Sequence, residues 1–443
     1  FGSSLVTGSG TKKLGEPVFS ASASSERVLI ADIDSLSQRL DGGNLSSGTL
    51  TFAVKAARAA GQESALYEGR ASVSDGNFDT GLLANPIKNA NARAEFGGNA
   101  GTLIIDRVET GSTVLTGRVN VLDMAGRVLR FDLNFPRLHA EDLVPEKREE
   151  RPSISWMDDY ELSGEGKKPK KAKPITGYGS IRAAEGDLWR HEFTSLSADA
   201  RITGDTIEIK PASVDIDGGK ASAFATIFLA ESDPRLFTAE ITANGILLER
   251  LTSARTARRI LNGSARANIS LTGIKGDGPL TRRMNGSASV VVKGGRLWKF
   301  GFITDIFSFV NIISLDELFK KGLPYKNITG EFTMDRGIVS TSKLTFDSDS
   351  LRMSAIGTLS VPESAIDLTL ALHPFVTIDK IITNIPIVGW IITGKEESTV
   401  SFYFDIEGPA ADPDITPLPV KTIEKSVFGI LERLLKAPFR LFK

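Results

Sequence analysis

This sequence predicts a mainly β fold: an antiparallel sheet of repeated units with a few short helices. Three observations carry that prediction. Many segments alternate apolar and polar residues with a period of two. Phe237, Ala239, Ile241 and Ala243 alternate with Thr238, Glu240 and Thr242, which puts the apolar set on one face of a strand. The segments recur in similar order along the chain. And the 42 glycines suit a chain with many tight turns.

The same alternation runs through Ala265, Ala267, Ile269 and Leu271, and through Leu129, Phe131, Leu133 and Phe135. It returns at Ile366, Leu368, Leu370 and Leu372, and at Val400, Phe402, Phe404 and Ile406. Such strands build a sheet with one apolar and one solvated face. A step of glycine followed by an apolar residue marks the repeat, at Gly76-Asn77-Phe78, Gly186-Asp187-Leu188-Trp189 and Gly295-Arg296-Leu297-Trp298. Comparable strand sets follow each step. Short stretches with helical apolar spacing, Asp32 to Leu40 and Glu249 to Leu261, precede two related strands at 48–57 and 263–273. In the middle unit that place is taken by 141–174, crowded with charge, proline and glycine. It reads as a flexible excursion. A third helical stretch is an insert from Phe302 to Phe319. The chain ends with a candidate amphipathic helix at 419–443, whose Ile423, Val427, Ile430, Leu431 and Leu434 form one stripe. Lys425 and Arg433 are among its basic residues. It would cap the sheet or lie on a membrane surface.

Composition narrows the function classes. With 53 basic and 54 acidic residues, no global charge attracts nucleic acid. The absence of cysteine excludes disulfides and thiolate chemistry. Neither a secretory signal nor an apolar run of about 20 residues stands out, so any membrane anchor is expected outside these residues. His139, His191 and His373 are isolated and lack metal-ligand spacing. Gly389 to Lys395 has the glycine and lysine spacing of a phosphate loop, but Glu396 stands where Ser or Thr should hold magnesium. Asp215 and Asp217 before Gly218-Gly219 read as a hairpin end rather than a calcium loop. The lysines at 167, 168, 170, 171 and 173 read as a solvated linker, and Trp189 and Trp298 as packing anchors. No catalytic residue, metal or cofactor is expected, and the chain does not read as an enzyme.

One-faced strands leave two options. Two sheets bury their apolar faces on each other, or one sheet curls around a trough. End-to-end repetition and small residues such as Ala223, Ala225, Ala239, Ala243, Ala265 and Ala267 lean toward the trough.

The last 150 or so residues resemble the C-terminal region of AsmA-like proteins, relatives of TamB and YhdP in the Gram-negative envelope. The resemblance is carried by Leu261-Asn262-Gly263-Ser264-Ala265 through Leu271-Thr272-Gly273, by Met284-Asn285-Gly286 to Gly295-Arg296-Leu297, and by the insert Phe302 to Phe319. It continues through Asn327-Ile328-Thr329-Gly330 to Leu372, Ile385-Pro386-Ile387-Val388-Gly389, and Tyr403 to Pro413. It implies an elongated, curled antiparallel sheet whose repeated units form an apolar groove, of the bridge-like lipid-transfer type. Such proteins are tethered to the inner membrane and project into the periplasm. The expected organisation is a degenerate groove repeat at 1–140, the charged excursion at 141–174, and a second repeat at 175–293. An AsmA-like unit at 294–418 and the terminal helix follow.

The expected function is non-enzymatic transfer of phospholipid between inner and outer membranes, with membrane or envelope proteins as partners at the C-terminal end and no nucleic acid. Ile227, Leu229, Phe237, Ile241, Ile269, Leu271, Val290, Val292, Leu368, Leu370, Phe402 and Phe404 are the candidate lining. The competing expectation is a structural scaffold or assembly factor of the envelope with a closed β core.

Overall fold

The computed structural model describes residues 4–14, 16, 18–32, 44–60, 65–79, 83–143, 174–188, 191–253, 261–298, 306, 322–375, 392–393 and 400–419. The fold is mainly β and mostly antiparallel. Two compact units divide at 214/215, within the segment that the repeats group as 175–293.

Unit 1 holds β1 (Thr7–Lys12), β2 (Phe19–Leu29), β3 (Asn44–Arg58), β4 (Leu66–Asp79), β5 (Ile87–Gly97) and β6 (Ala100–Thr110). It continues with β7 (Thr113–Asp123), β8 (Val128–His139), β9 (Thr176–Leu188) and β10 (His191–Thr203). Each strand pairs with the next, antiparallel throughout except for β8 and β9, which run parallel. A hairpin turn cannot join parallel strands, which need a crossover of a dozen or more residues. The charged segment expected at 141–174 falls at that connection. Its first residues form a short helix, Ala140–Leu143, and 144–173 lie outside the described residues. From this helix Asp142 reaches the β6–β7 turn. Its carboxylate accepts the backbone N–H groups of Ser112 (2.8 Å) and Thr113 (2.9 Å), the Thr113 hydroxyl (3.0 Å) and the Asn85 amide (2.9 Å).

The next strand, β11 (Thr206–Ile216), crosses the division. Unit 2 holds β12 (Gly219–Phe228), β13 (Arg235–Leu247), β14 (Ser264–Ile274), β15 (Met284–Leu297), β16 (Leu323–Asp335), β17 (Ile338–Asp347), β18 (Leu351–Ser360) and β19 (Ala365–Pro374). They pair in sequence order, all antiparallel. The set ends with β20 (Ile392–Thr393), β21 (Val400–Pro409) and β22 (Asp414–Pro417), with β21 paired to β19, β20 and β22. Among the described residues β1 pairs only with β2, and β22 only with β21.

Local chemistry sets the turns. Asp217 and Gly218 both have positive φ (49° and 79°), which a two-residue type I′ hairpin requires. The hairpin expected there is present, with Lys220 paired to Asp215 (2.6 Å), but it is solvated only in part, because Asp217 is buried. A short helix, Leu248–Ser253, follows β13 at the start of the expected helical stretch. The terminal helix, with Ile423, Lys425, Val427, Ile430, Leu431, Arg433 and Leu434, lies outside the described residues. So does the insert 302–319 except Ile306, which is wholly buried in the unit 2 core.

Gly357 sits mid-strand with φ +143°, and a Cβ there would collide with the Asp367 carbonyl oxygen of β19. Gly357→Val is therefore expected to destabilise unit 2 by about 1–3 kcal/mol. Urea unfolding checks this, and an unchanged midpoint would mean the strand accommodates a side chain.

Candidate functional site

The ladders convert strand alternation into rows that cross the sheet. In unit 2 one row runs Ile246, Ala265, Val292, Ile328, Phe346, Met353, Leu372, Phe402, each facing the next across adjoining strands. All but Ile328 are buried. Four residues farther along most of these strands, five on the bulged β13 and β17, burial has declined. A middle row runs Ala223, Ile241, Ile269, Ala288, Phe332, Thr341, Gly357, Leu368, Ile406, half-buried until Ile406. An outer row, Ala225, Ala239, Leu271, Gly286, Met334, Val339, Leu359, Ile366, is half-buried throughout. The apolar face is thus sealed at one end of the strands and incompletely covered toward the other.

The sealed end is a packed cluster centred on Leu297, Ile306, Leu323, Leu351, Leu372, Phe402 and Phe404. Tyr325 packs against Phe346, ring centroids 5.4 Å apart, and its hydroxyl donates to the Asn262 carbonyl (2.5 Å). Burial, reinforced by the Glu249 charge, pushes that hydroxyl's pKa up to about 12. Trp298 lies at this end against Gly322, the packing role expected of it.

Here the rule of one apolar and one wet face fails. Thr329, Thr345, Ser354, Ala371 and Tyr403 face one another on the opposite side of β16–β21 and are also buried. Thr329 and Thr345 satisfy each other through their hydroxyls (2.6 Å). Arg352 and Asp347 form a buried ion pair (2.5 Å), unlike the exposed pairs elsewhere. A signal existed: Leu370-Ala371-Leu372 and Phe402-Tyr403-Phe404 are unbroken apolar runs, the pattern of a strand buried on both faces.

The candidate lining divides accordingly. Val292, Leu370, Phe402 and Phe404 are buried in the sealed cluster, and Val290 and Leu368 pack against it. Ile227, Phe237, Ile241, Ile269 and Leu271 are half-buried on the more open part of the same face. Leu229 is not on that face: β12 stops at Phe228, and Leu229 is 54% exposed in the turn that follows. Pro234, which cannot donate to a ladder, lies in that turn.

Unit 1 repeats the design. Val54, Gly69, Phe96, Gly101, Val121, Leu129, Gly177 and Ile202 form one row. Phe52, Ala71, Ala94, Leu103, Val119, Phe131, Gly179 and Ala200 form the next. Leu103 is 37% exposed in mid-strand, although it lies on the apolar side.

The opposite faces carry cross-strand ion pairs: Lys55–Glu68, Arg93–Asp106 and Lys343–Glu331. The Arg93 hydrogen bond holds the Asp106 carboxyl below its usual range. Open clefts of about 1000 Å³ and 620 Å³ lie between these polar rows. The first is lined by Lys55, Glu68, Arg70, Glu95 and Asn120, and the second by Glu240, Asn268, Ser289 and Glu331. Val54, Phe96, Val121 and Leu122 also line the first, and Ile269, Ala288 and Phe332 the second.

Among the described residues, polar side chains converge at a small cleft lined by Ser112, His139, Glu141, Asp142, Asp187 and Glu192. His139 Nδ1 contacts the Asp187 carboxylate, and His373 Nδ1 lies 3.3 Å from the Ser401 hydroxyl. Asp367, Asp405 and Glu407 bring carboxylate oxygens within 4.8 Å of one another and are the described group that could hold a cation. Asp405, then Asp367, raise the pKa of Glu407 by charge repulsion. Comparison with family models, curated proteins and solved structures finds no match.

Because its pKa is raised in the folded state, Glu407 favours folding while protonated. That contribution is complete below the unfolded carboxyl value and is lost as pH rises through the folded one. Glu407→Gln should therefore raise the melting temperature slightly at pH 7 and leave it unchanged near pH 3. Thermal unfolding at both pH values checks the sign, and a destabilised variant at pH 7 would contradict the repulsion.

Proposed function

We propose that this chain is a non-enzymatic conduit that carries phospholipid across the envelope between inner and outer membranes. Acyl chains lie in an apolar groove formed by the sheet face, while headgroups stay in water. The carrying observation is the continuity of half-buried apolar rows from strand to strand, above all Ala225–Ala239–Leu271–Gly286–Met334–Val339–Leu359–Ile366. A path along the repeat must be apolar across strands, not merely within each one.

The energetics favour this role. A lipid in water exposes its chains at about 0.8 kcal/mol per methylene, so two chains of roughly 15 methylenes cost on the order of 24 kcal/mol. An apolar face offsets that cost. Its small and medium side chains give many similar contacts and no deep well, which permits movement. The resemblance to AsmA-like proteins supports the same reading, with a periplasmic location, an inner-membrane tether and envelope partners.

The scaffold reading draws on a different observation, the sealed cluster around Leu323, Leu351 and Phe402. Lipid extraction and mass spectrometry of the purified chain separate the two. Several phospholipids per chain are expected of a conduit, and a lipid-free protein would favour the scaffold. Ile241→Asp should abolish lipid loading, whereas Thr242→Asp, on the exposed face, should leave it nearly unchanged. Circular dichroism establishes that both variants fold; equal loading in the two would refute the assigned face.

A further inference from the structure

The declining burial in unit 2 orients any guest. Acyl chains gain most toward the sealed row of Val292, Phe346 and Phe402, so a headgroup belongs at the other end of the strands. There the last apolar row is Ile227, Phe237, Gly273 and Met284. The Phe237 ring occupies the space where Gly273 lacks a side chain.

Immediately beyond that row the β12–β13 and β14–β15 connections meet. The Lys275 backbone N–H donates to the Pro234 carbonyl (2.8 Å), and its ammonium contacts the Ala230 carbonyl. Arg283, next to Met284, donates to the carbonyls of Ile274 (2.6 Å) and Gly278 (3.1 Å). Both cations are half-buried and held by carbonyl oxygens. Among the described residues neither forms a carboxylate ion pair. The nearby Asp233 is engaged: Arg235 pairs with it (2.9 Å) while lying over the Phe228 ring, 4.0 Å from its centroid. The Arg235 side-chain and backbone hydrogen bonds hold the Asp233 carboxyl below its usual range. Two positive charges therefore stand at the end of an apolar row without a direct carboxylate contact among the described residues, although the Asp233 charge also acts on Lys275. Glu231 and Asp277 are exposed in the same connections and would repel a headgroup of net negative charge.

We propose that Lys275 and Arg283 form a headgroup site for the phosphate of a zwitterionic phospholipid whose chains lie over Phe237, Leu271 and Met284. This assignment rests on the conduit reading and adds the orientation of the lipid and the class of its headgroup. Charge-assisted hydrogen bonds from both cations would hold the phosphate, while the exposed carboxylates accommodate the ammonium.

The test compares fluorescent phosphatidylethanolamine with fluorescent diacylglycerol of the same acyl chains, each delivered from cyclodextrin to the full chain. The phospholipid is expected to bind about tenfold more tightly. Lys275→Gln with Arg283→Gln should reduce that preference to near unity without weakening diacylglycerol binding. Arg283→Lys, which keeps the charge, should retain most of the preference and guards against a mere loss of the loop. Equal affinity for the two lipids, an unchanged preference in the double variant, or a parallel loss of both lipids would overturn the headgroup site while leaving the conduit standing. Binding of neither lipid to the unaltered chain would overturn the conduit reading, and the headgroup site with it.

Discussion

Strand register is the constraint on which the rest of this structure depends. Side chains alternate faces with a period of two, so a slip of one residue would carry a strand's apolar set to the solvated side. The ladders avoid this across many consecutive pairs. Ile241 faces Ile269, which faces Ala288, which faces Phe332. Where β17 carries an extra residue between Thr341 and Thr345, the bulge shifts its alternation by one, so that Thr341 faces Phe332 and Phe346 still meets Ile328. Hydrogen bonding thus aligns the strands, and the apolar pattern penalises every other alignment.

The two ends of the strands in unit 2 then solve different problems. At the sealed end large side chains fill space, and Thr329 pairs with Thr345 and Arg352 with Asp347, while the buried Ser354 hydroxyl has no hydrogen-bond partner among the described residues. A buried ion pair is costly to break, because the surviving charge remains desolvated. At the other end side chains are smaller and part of the apolar surface remains in water. Each square ångström so exposed forgoes about 25 cal/mol. On the proposed conduit reading a guest would recover that contribution. On the opposite faces, exposed pairs such as Arg93–Asp106 contribute little to stability but keep those faces solvated.

Much of the fold was legible because alternation is a strong signal. The apolar sets of β8, β13, β14, β19 and β21 occupy one face as the sequence implied. The site was legible in kind but less so in extent. Alternation assigns Val292 and Ile241 to the same face yet cannot separate a buried position from an open one, since that depends on what lies across neighbouring strands. It also continued through Leu229, where the turn containing Asp233 and Pro234 ends the strand. The two-sided burial of β19 and β21 was written in the runs around Ala371 and Tyr403, masked by the alternation on either side. The cations at Lys275 and Arg283 gave no signal, because only the folded turns bring 230, 275 and 283 together.

The rows also differ as paths. On the proposed conduit reading, a sliding acyl chain would meet a barrier wherever a polar or missing side chain interrupts apolar contact, at about 0.8 kcal/mol for each methylene left exposed. The middle row of unit 2 is interrupted at Thr341 and again at Gly357, where φ of +143° precludes a larger residue without strain. The outer row has no polar member from Ala225 to Ile366, and its one glycine, Gly286, is flanked by Leu271 and Met334. Long flexible side chains beside a gap can lean across it, and methionine does so readily. The smoother path therefore lies one row nearer the open end. Movement there leaves the sealed cluster undisturbed, so the part of the face that stabilises unit 2 need not be the part along which a guest moves.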